Sequence, residues 1–288
     1  MSVRVVTDTA ADLPPALAAS RQIETVPLTV RFGAESYVSG VELDADAFWE
    51  KLRTSNEAPA TAAPSAGDFQ RKYEELIGQG ATGIVSLHLS SKLSATYQSA
   101  SVAANEISGT PIEVFDTLSV SAGTGLLALR AADMADAGAS GKDIVAELGA
   151  LRDRVRLFGV IDTLEYLRLG GRIGGAQALL GTMLKMKPVI ALHDGVVEPA
   201  GRVRTRAKAL DHLAGIVREH KDEIDRLIVL NGAAPDLDAF LPLLDGVVEV
   251  SPSDVWTLGP IVGAHGGPGV IGVVFIASSS GGPGGGAS

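Results

Sequence analysis

Short apolar runs alternate along the chain with longer stretches in which apolar positions return every three or four residues. The short runs, at residues 3–6, 25–30, 84–89, 112–115, 157–161, 188–192, 227–230, 247–250 and 270–276, are rich in Val and Ile. They read as strands. Several are too continuous for a strand with one wet face, so the sheet they form is expected to be covered on both sides. Helical spacing covers 45–53, 66–77, 96–106, 121–137, 142–152, 175–185, 205–219 and 237–244. Ser65 with Asp68 three residues on makes a helix-start cap, and Asp44 heads another helix. Strand–helix alternation of this kind is the α/β pattern. In His193-Asp194-Gly195 an Asp-Gly pair separates two apolar runs, a hairpin signal that puts antiparallel pairing in the second half. The division is expected near residue 155. Residues 1–155 then form an N-terminal α/β domain with a mainly parallel sheet, 156–277 a mixed α/β C-terminal domain, and 278–288 a flexible Gly/Ser tail. The Ala-, Pro- and Thr-rich stretch 54–64 reads as a loop.

At 288 residues, 46% of them apolar, the chain can bury a sizeable core. Its net charge of −10 disfavours nucleic acid as a partner, which needs clustered Lys and Arg. Uncharged apolar runs stay too short for a membrane span. The start, MSVRVVTDTA, enters a strand at once and lacks the layout of a signal peptide, so a cytoplasmic location is expected. Without cysteine there are no disulfides, Cys–zinc sites or thiol nucleophiles. The five histidines show no His-Glu-x-x-His spacing, so no metal is expected.

Five segments could carry chemistry. In Ser90-Ser91-Lys92-Leu93-Ser94-Ala95-Thr96-Tyr97, hydroxyls cluster where a strand turns into a helix. That edge of an α/β sheet binds ligands, and a helix start suits an anion. Ser94 fits an anion donor, although from this loop alone a helix cap is the plainer account. Arg172 stands between the glycine pairs Gly170-Gly171 and Gly174-Gly175. Its fork suits a carboxylate or phosphate, and equally a structural ion pair. His265 lies among the small residues of Gly263-Ala264-His265-Gly266-Gly267-Pro268-Gly269, where it reads as a donor, a base or a structural histidine. Thr61 stands in Pro59-Ala60-Thr61-Ala62-Ala63-Pro64-Ser65, and alone reads as loop. Asp8 and Asp12, in Thr7-Asp8-Thr9-Ala10-Ala11-Asp12-Leu13-Pro14, suit acid/base work or turn chemistry.

Taken together and in this order, the segments resemble the DegV family of fatty-acid-binding proteins over nearly the whole chain. The resemblance implies a two-domain α/β fold with a fatty acid buried between the domains. It implies that Thr61 and Ser94 hold the acyl carboxylate, with Arg172 and His265 in the same polar cluster. It further implies that the bound long-chain fatty acid is presented to a separate ATP-dependent fatty acid kinase and returned as acyl-phosphate. The carrier itself would be no enzyme and need no cofactor. Ala62-Ala63 stands where the family usually has Ser-Gln, Ala95 replaces a usual Gly, and Leu169 stands where a basic residue is common. None of these touches the four proposed ligand residues.

Two other readings stay open. Ser94 with His265 as base and Asp8 or Asp12 as orienter would make a serine hydrolase or acyltransferase. Against it, Ser94 lacks the Gly-x-Ser-x-Gly elbow. A carrier of a phosphorylated small molecule would use the same polar cluster without a long apolar tunnel. Leu179, Leu180, Met183, Leu184 and Met186 offer apolar surface at partly helical spacing, for which ordinary core is the plainer account. Arg202, Arg204 and Arg206 form the densest basic cluster, suited to an acidic partner surface or simply to solvent.

Overall fold

The computed structural model describes residues 3–182 and 186–278. Met183 and Leu184 of the apolar segment, and the predicted tail beyond Ser278, lie outside them. The first half supplies strands β1 (Val3–Asp8), β2 (Ile23–Val26), β3 (Thr29–Phe32), β4 (Glu35–Val38), β5 (Pro59–Ala62), β6 (Gly83–His88) and β7 (Ile112–Asp116). The second half supplies β8 (Val155–Val160), β9 (Lys187–His193), β10 (Val196–Val203), β11 (Ile228–Gly232), β12 (Val255–Thr257) and β13 (Val270–Ile276).

β1, β2, β6 and β7 form a parallel sheet in the order β2-β1-β6-β7. Successive side chains of a strand point to opposite faces, and both faces here are covered. Val6, Val26 and Ile84 pack with Phe69, Tyr73, Leu76, Ala100 and Ala103 from the helices Ala66–Gly78 and Thr96–Glu106. Their neighbours Val5 and Val85 face the helices Ala122–Asp136 and Gly141–Arg152. The caps form as the sequence predicts. Ser65 and Asp68 close a reciprocal capping box, and Asp44 accepts from the N–H of Ala47 at 2.9 Å.

The second sheet runs β10-β9-β8-β13-β11-β12, antiparallel except for the β11–β12 edge. Its outer face, with Val160, Val189, Val229, Ile271 and Val273, packs on the helix Arg206–Glu219. The inner face turns toward the first domain. Asp194 (φ 46°) and Gly195 (φ 76°) make the predicted hairpin turn, both in the left-handed conformation that a two-residue loop needs.

The helix Ala122–Asp136 lies between the two sheets and is buried on most sides. Ala122, Gly123, Gly125, Ala128, Ala131 and Ala132 keep it thin enough to touch both. One apolar cluster therefore runs from Val5 and Leu87 through Leu127 to Leu230 and Val274.

Four expectations need correcting. The run 25–30 is two strands in different sheets: Pro27 cannot donate to a ladder, and the chain leaves β2 there. The stretch 54–64 is not all loop, because β5 pairs antiparallel with β3 (Phe32 with Pro59, Thr29 with Ala62). The run 247–250 is no strand: Val247, Val248 and Val250 instead pack against the outer-face cluster, and the edge strand comes later, as β12. The stretch 175–185 is 3-10 where described, within Gly174–Thr182, and 237–244 is α-helical only over Leu237–Phe240 before turning 3-10 over Leu241–Leu244.

Candidate ligand-binding site

Thr61, Ser94, Arg172 and His265 come from four separate segments and line one cavity. β5 carries Thr61. The turn after β6 carries Ser94, just before the helix Thr96–Glu106. Arg172 follows the short helix Glu165–Leu169, and His265 sits in the last turn of the helix Pro260–Gly266. That helix starts on a Pro and ends at the left-handed Gly267, which fixes where the imidazole emerges.

Thr61 Oγ1 and His265 Nε2 are 2.9 Å apart. Burial, with the Arg172 charge adding to it, pushes His265 down to about 4, so the ring is neutral near pH 7. Two tautomers are then available. With the proton on Nε2, His265 donates to Thr61 and leaves the threonine O–H free to donate to a ligand. With the proton on Nδ1, Thr61 spends its own O–H on the ring. Nδ1 is buried without a hydrogen-bond partner. It lies against Gly170, where a Cβ would collide with the ring, so only glycine lets the imidazole pack there.

Arg172 donates from Nε to the carbonyl of Leu93 at 2.9 Å and from Nη1 to that of Gly170 at 2.5 Å. Among the described residues no carboxylate pairs with it. A half-buried guanidinium held by two carbonyls keeps its charge available to an anion. Ser94 Oγ lies 2.9 Å from Thr96 Oγ1 and accepts from the Thr96 N–H at 3.3 Å. Ser94 thus combines a turn-stabilising contact with a place on the cavity wall.

The rest of the wall is apolar. Leu28, Leu89, Leu93 and Val120 line it from the first half, and Leu157, Ile190, Leu192, Leu230 and Ile261 from the second. The cavity holds about 920 Å³ of space between protein atoms, its mouth included. Neither Leu179, Leu180 nor Met186 lines it. Leu180 is partly exposed, and the inner strands of the second sheet supply the apolar surface instead. Residues Ala62, Ala95 and Leu169, where the chain departs from the resemblance, are exposed.

The Ser–His–Asp arrangement is not assembled. Ser94 bonds to Thr96 rather than His265. Asp8 accepts from the N–H groups of Ala10 and Leu89 and lies 3.0 Å from His88 Nδ1. Asp12 accepts from Ser121 Oγ at 2.6 Å and from the N–H of Gly259 at 2.9 Å. Both carboxylates are thereby engaged away from His265. Burial pushes Asp12 up to about 7, and the nearby Asp8 adds to this. In the basic cluster, Arg206 is engaged within the fold. It bridges Asp236 (2.9 and 3.0 Å) and donates to the Gly269 carbonyl at 2.5 Å. Arg202 and Arg204 are exposed. Among the described residues, no group of side chains is placed to hold a metal ion, and no helix is long and apolar enough to cross a membrane.

The family described as "Uncharacterised protein, DegV family" matches residues 2–278. The chain belongs to the DegV family. A DegV domain-containing protein of Deinococcus radiodurans is 37% identical over 279 residues, which cover 96% of this chain and 98% of that one. Among solved structures, a DegV family protein from Thermus thermophilus described for its fatty acid binding superposes with a TM-score of 0.86 at 36% identity. It covers 96% of this chain and 100% of its own. DegV from Bacillus subtilis, described as a fatty acid binding protein, superposes with a TM-score of 0.85 at 30% identity, covering 96% and 100%. The α/β fold in two domains is that of these DegV structures.

What sequence reasoning missed in this DegV protein is the apolar wall. Leu28, Leu157, Ile190 and Leu230 carry only the alternation common to every inward-facing strand residue, so nothing in the sequence separates cavity lining from core.

Proposed function

We propose that this DegV protein binds a long-chain fatty acid in the cavity, with the carboxylate at Thr61, Ser94, Arg172 and His265. One observation carries the reading: four polar residues distant in sequence meet on the wall of a cavity whose remaining surface is almost wholly apolar. The fatty acid binding described for its DegV relatives supports it. Burying roughly sixteen carbons at about 0.8 kcal/mol per methylene gives on the order of 12 kcal/mol before ordering costs. The polar end therefore sets orientation more than affinity. A buried carboxylate without partners would be costly, and a hydroxyl pair with a guanidinium meets that need.

The protein acts as a carrier in the cytoplasm rather than an enzyme. It presents the acid to a separate ATP-dependent fatty acid kinase, which forms the acyl-phosphate for phospholipid synthesis. Mass spectrometry of the purified protein is expected to find a fatty acid in near-equal molar ratio; a phosphorylated small molecule in its place would overturn the reading. Ser94→Ala is expected to retain the lipid but lose most acyl-phosphate formation with the kinase. Normal turnover by that variant removes Ser94 from the anchor.

A further inference from the structure

The cavity floor contains two glycines that sheet formation does not ask for. Gly159 of β8 and Gly272 of β13 are cross-strand partners, both buried and both on the cavity wall. Ile190 of β9 pairs with Gly159, and Leu230 of β11 pairs with Gly272. One row of the sheet thus reads Ile190, Gly159, Gly272, Leu230, bare in the middle. At about 4.8 Å per strand step, the gap between the flanking side chains spans roughly 14 Å of backbone. Leu157 and Ile161, two residues either side of Gly159, join the large inner cluster, as do Val270 and Val274 about Gly272.

A glycine inside a strand weakens it, and marks a bulge, a bend or the close approach of another group. Neither glycine has left-handed backbone, and the β8–β13 register runs through both without a shift. Close approach remains. Gly272 is partly explained by its own sheet: a Cβ there would meet the Phe158 carbonyl at 3.1 Å and Leu230 Cβ at 3.3 Å. Gly159 is not. A Cβ built on it meets nothing nearer than the Ile271 carbonyl at 3.7 Å, with Gly272 Cα and Ile190 at 3.9 Å. The protein would accept alanine there, and the added methyl would enter the cavity that already holds Thr61 and His265.

We infer that Gly159 selects the acyl chain: the bare floor beside Gly272 receives a chain wider than straight polymethylene, broadened by a cis double bond or a methyl branch. This rests on the fatty-acid reading and adds selectivity to it. One methyl in an apolar site changes discrimination by about tenfold. The test measures binding of stearic, oleic and 10-methylstearic acids to the lipid-stripped wild type, Gly159→Ala and Gly159→Val. Wild type is expected to favour at least one of the wider acids, and which one identifies the source of the width. Gly159→Ala is expected to lower that preference about tenfold, with the melting temperature of the empty protein not lowered, and Gly159→Val to abolish it. The alanine variant alone still reads the effect if valine impairs folding. A preference equal in wild type and alanine variant overturns the inference, as does a wild type indifferent to width. Failure of wild type to bind any of the three acids instead overturns the fatty-acid reading beneath it.

Discussion

At the scale of single residues, the pair Thr61–His265 shows how burial alters what a side chain can do. An exposed histidine titrates near 6.5, but this one is held neutral by burial and by the Arg172 charge. It therefore acts by tautomer rather than by charge, directing whether the Thr61 O–H is available. Thr61→Val keeps the shape and removes the hydroxyl. Its expected cost is one charge-assisted hydrogen bond, about 1.5–3 kcal/mol, read as weaker fatty acid binding by calorimetry. Unchanged affinity and unchanged acyl orientation would remove Thr61 from the site. The sequence proposes the four polar residues as a set and none alone, and the fold brings all four to one cavity. Ser94 in particular reads as a cap until Thr61, Arg172 and His265 are placed beside it. The small residues about His265 give no sign of the helix, opened by Pro260, that carries it.

At the scale of elements, local signals held where they were strong. The Ser65–Asp68 box, the Asp44 cap and the Asp194-Gly195 turn each rest on side-chain or backbone chemistry confined to a few residues. The turn also joins the halves, since Ser90 Oγ donates to the Gly195 carbonyl at 2.8 Å. Gly195→Ala would force a left-handed residue, at about 1–3 kcal/mol, and bring its Cβ into Ser90 Oγ. A clear drop in melting temperature is expected; wild-type stability in the variant would mean the turn relaxes freely. The failures lie where tertiary pairing overrides propensity. Pro59-Ala60-Thr61-Ala62 has little strand character, yet β3 recruits it. Val247 and Val248 have that character, yet side-chain burial, not pairing, accounts for their apolarity.

At the scale of the whole molecule, Asp12 ties β1's end to the second half through the Gly259 N–H. Its folded value of about 7 lies above the ordinary 3.8. Between those values the folded protein keeps a proton that the unfolded chain has released, so this group lowers stability as pH rises through the window. His265, depressed in the fold, works in the opposite sense, losing stability as pH falls from 6.5 toward 4. Asp12→Asn removes the first effect and leaves the second. The variant's melting temperature is expected to gain on wild type between about pH 4 and pH 7; parallel curves would mean that Asp12 does not titrate there. The alternation of strands and helices made the α/β class readable. How the two sheets share a helix was not, because apolarity around most of 122–136 is equally the mark of any buried helix.

That shared helix has a mechanical consequence. A hinge that parted the two sheets would wet a buried face of Ala122–Asp136 and split the apolar cluster between them. Inter-domain motion is the default where the contact is small and polar, but here it is the core itself. The halves should melt as one calorimetric unit, and whatever enters the cavity must do so while they stay closed on each other.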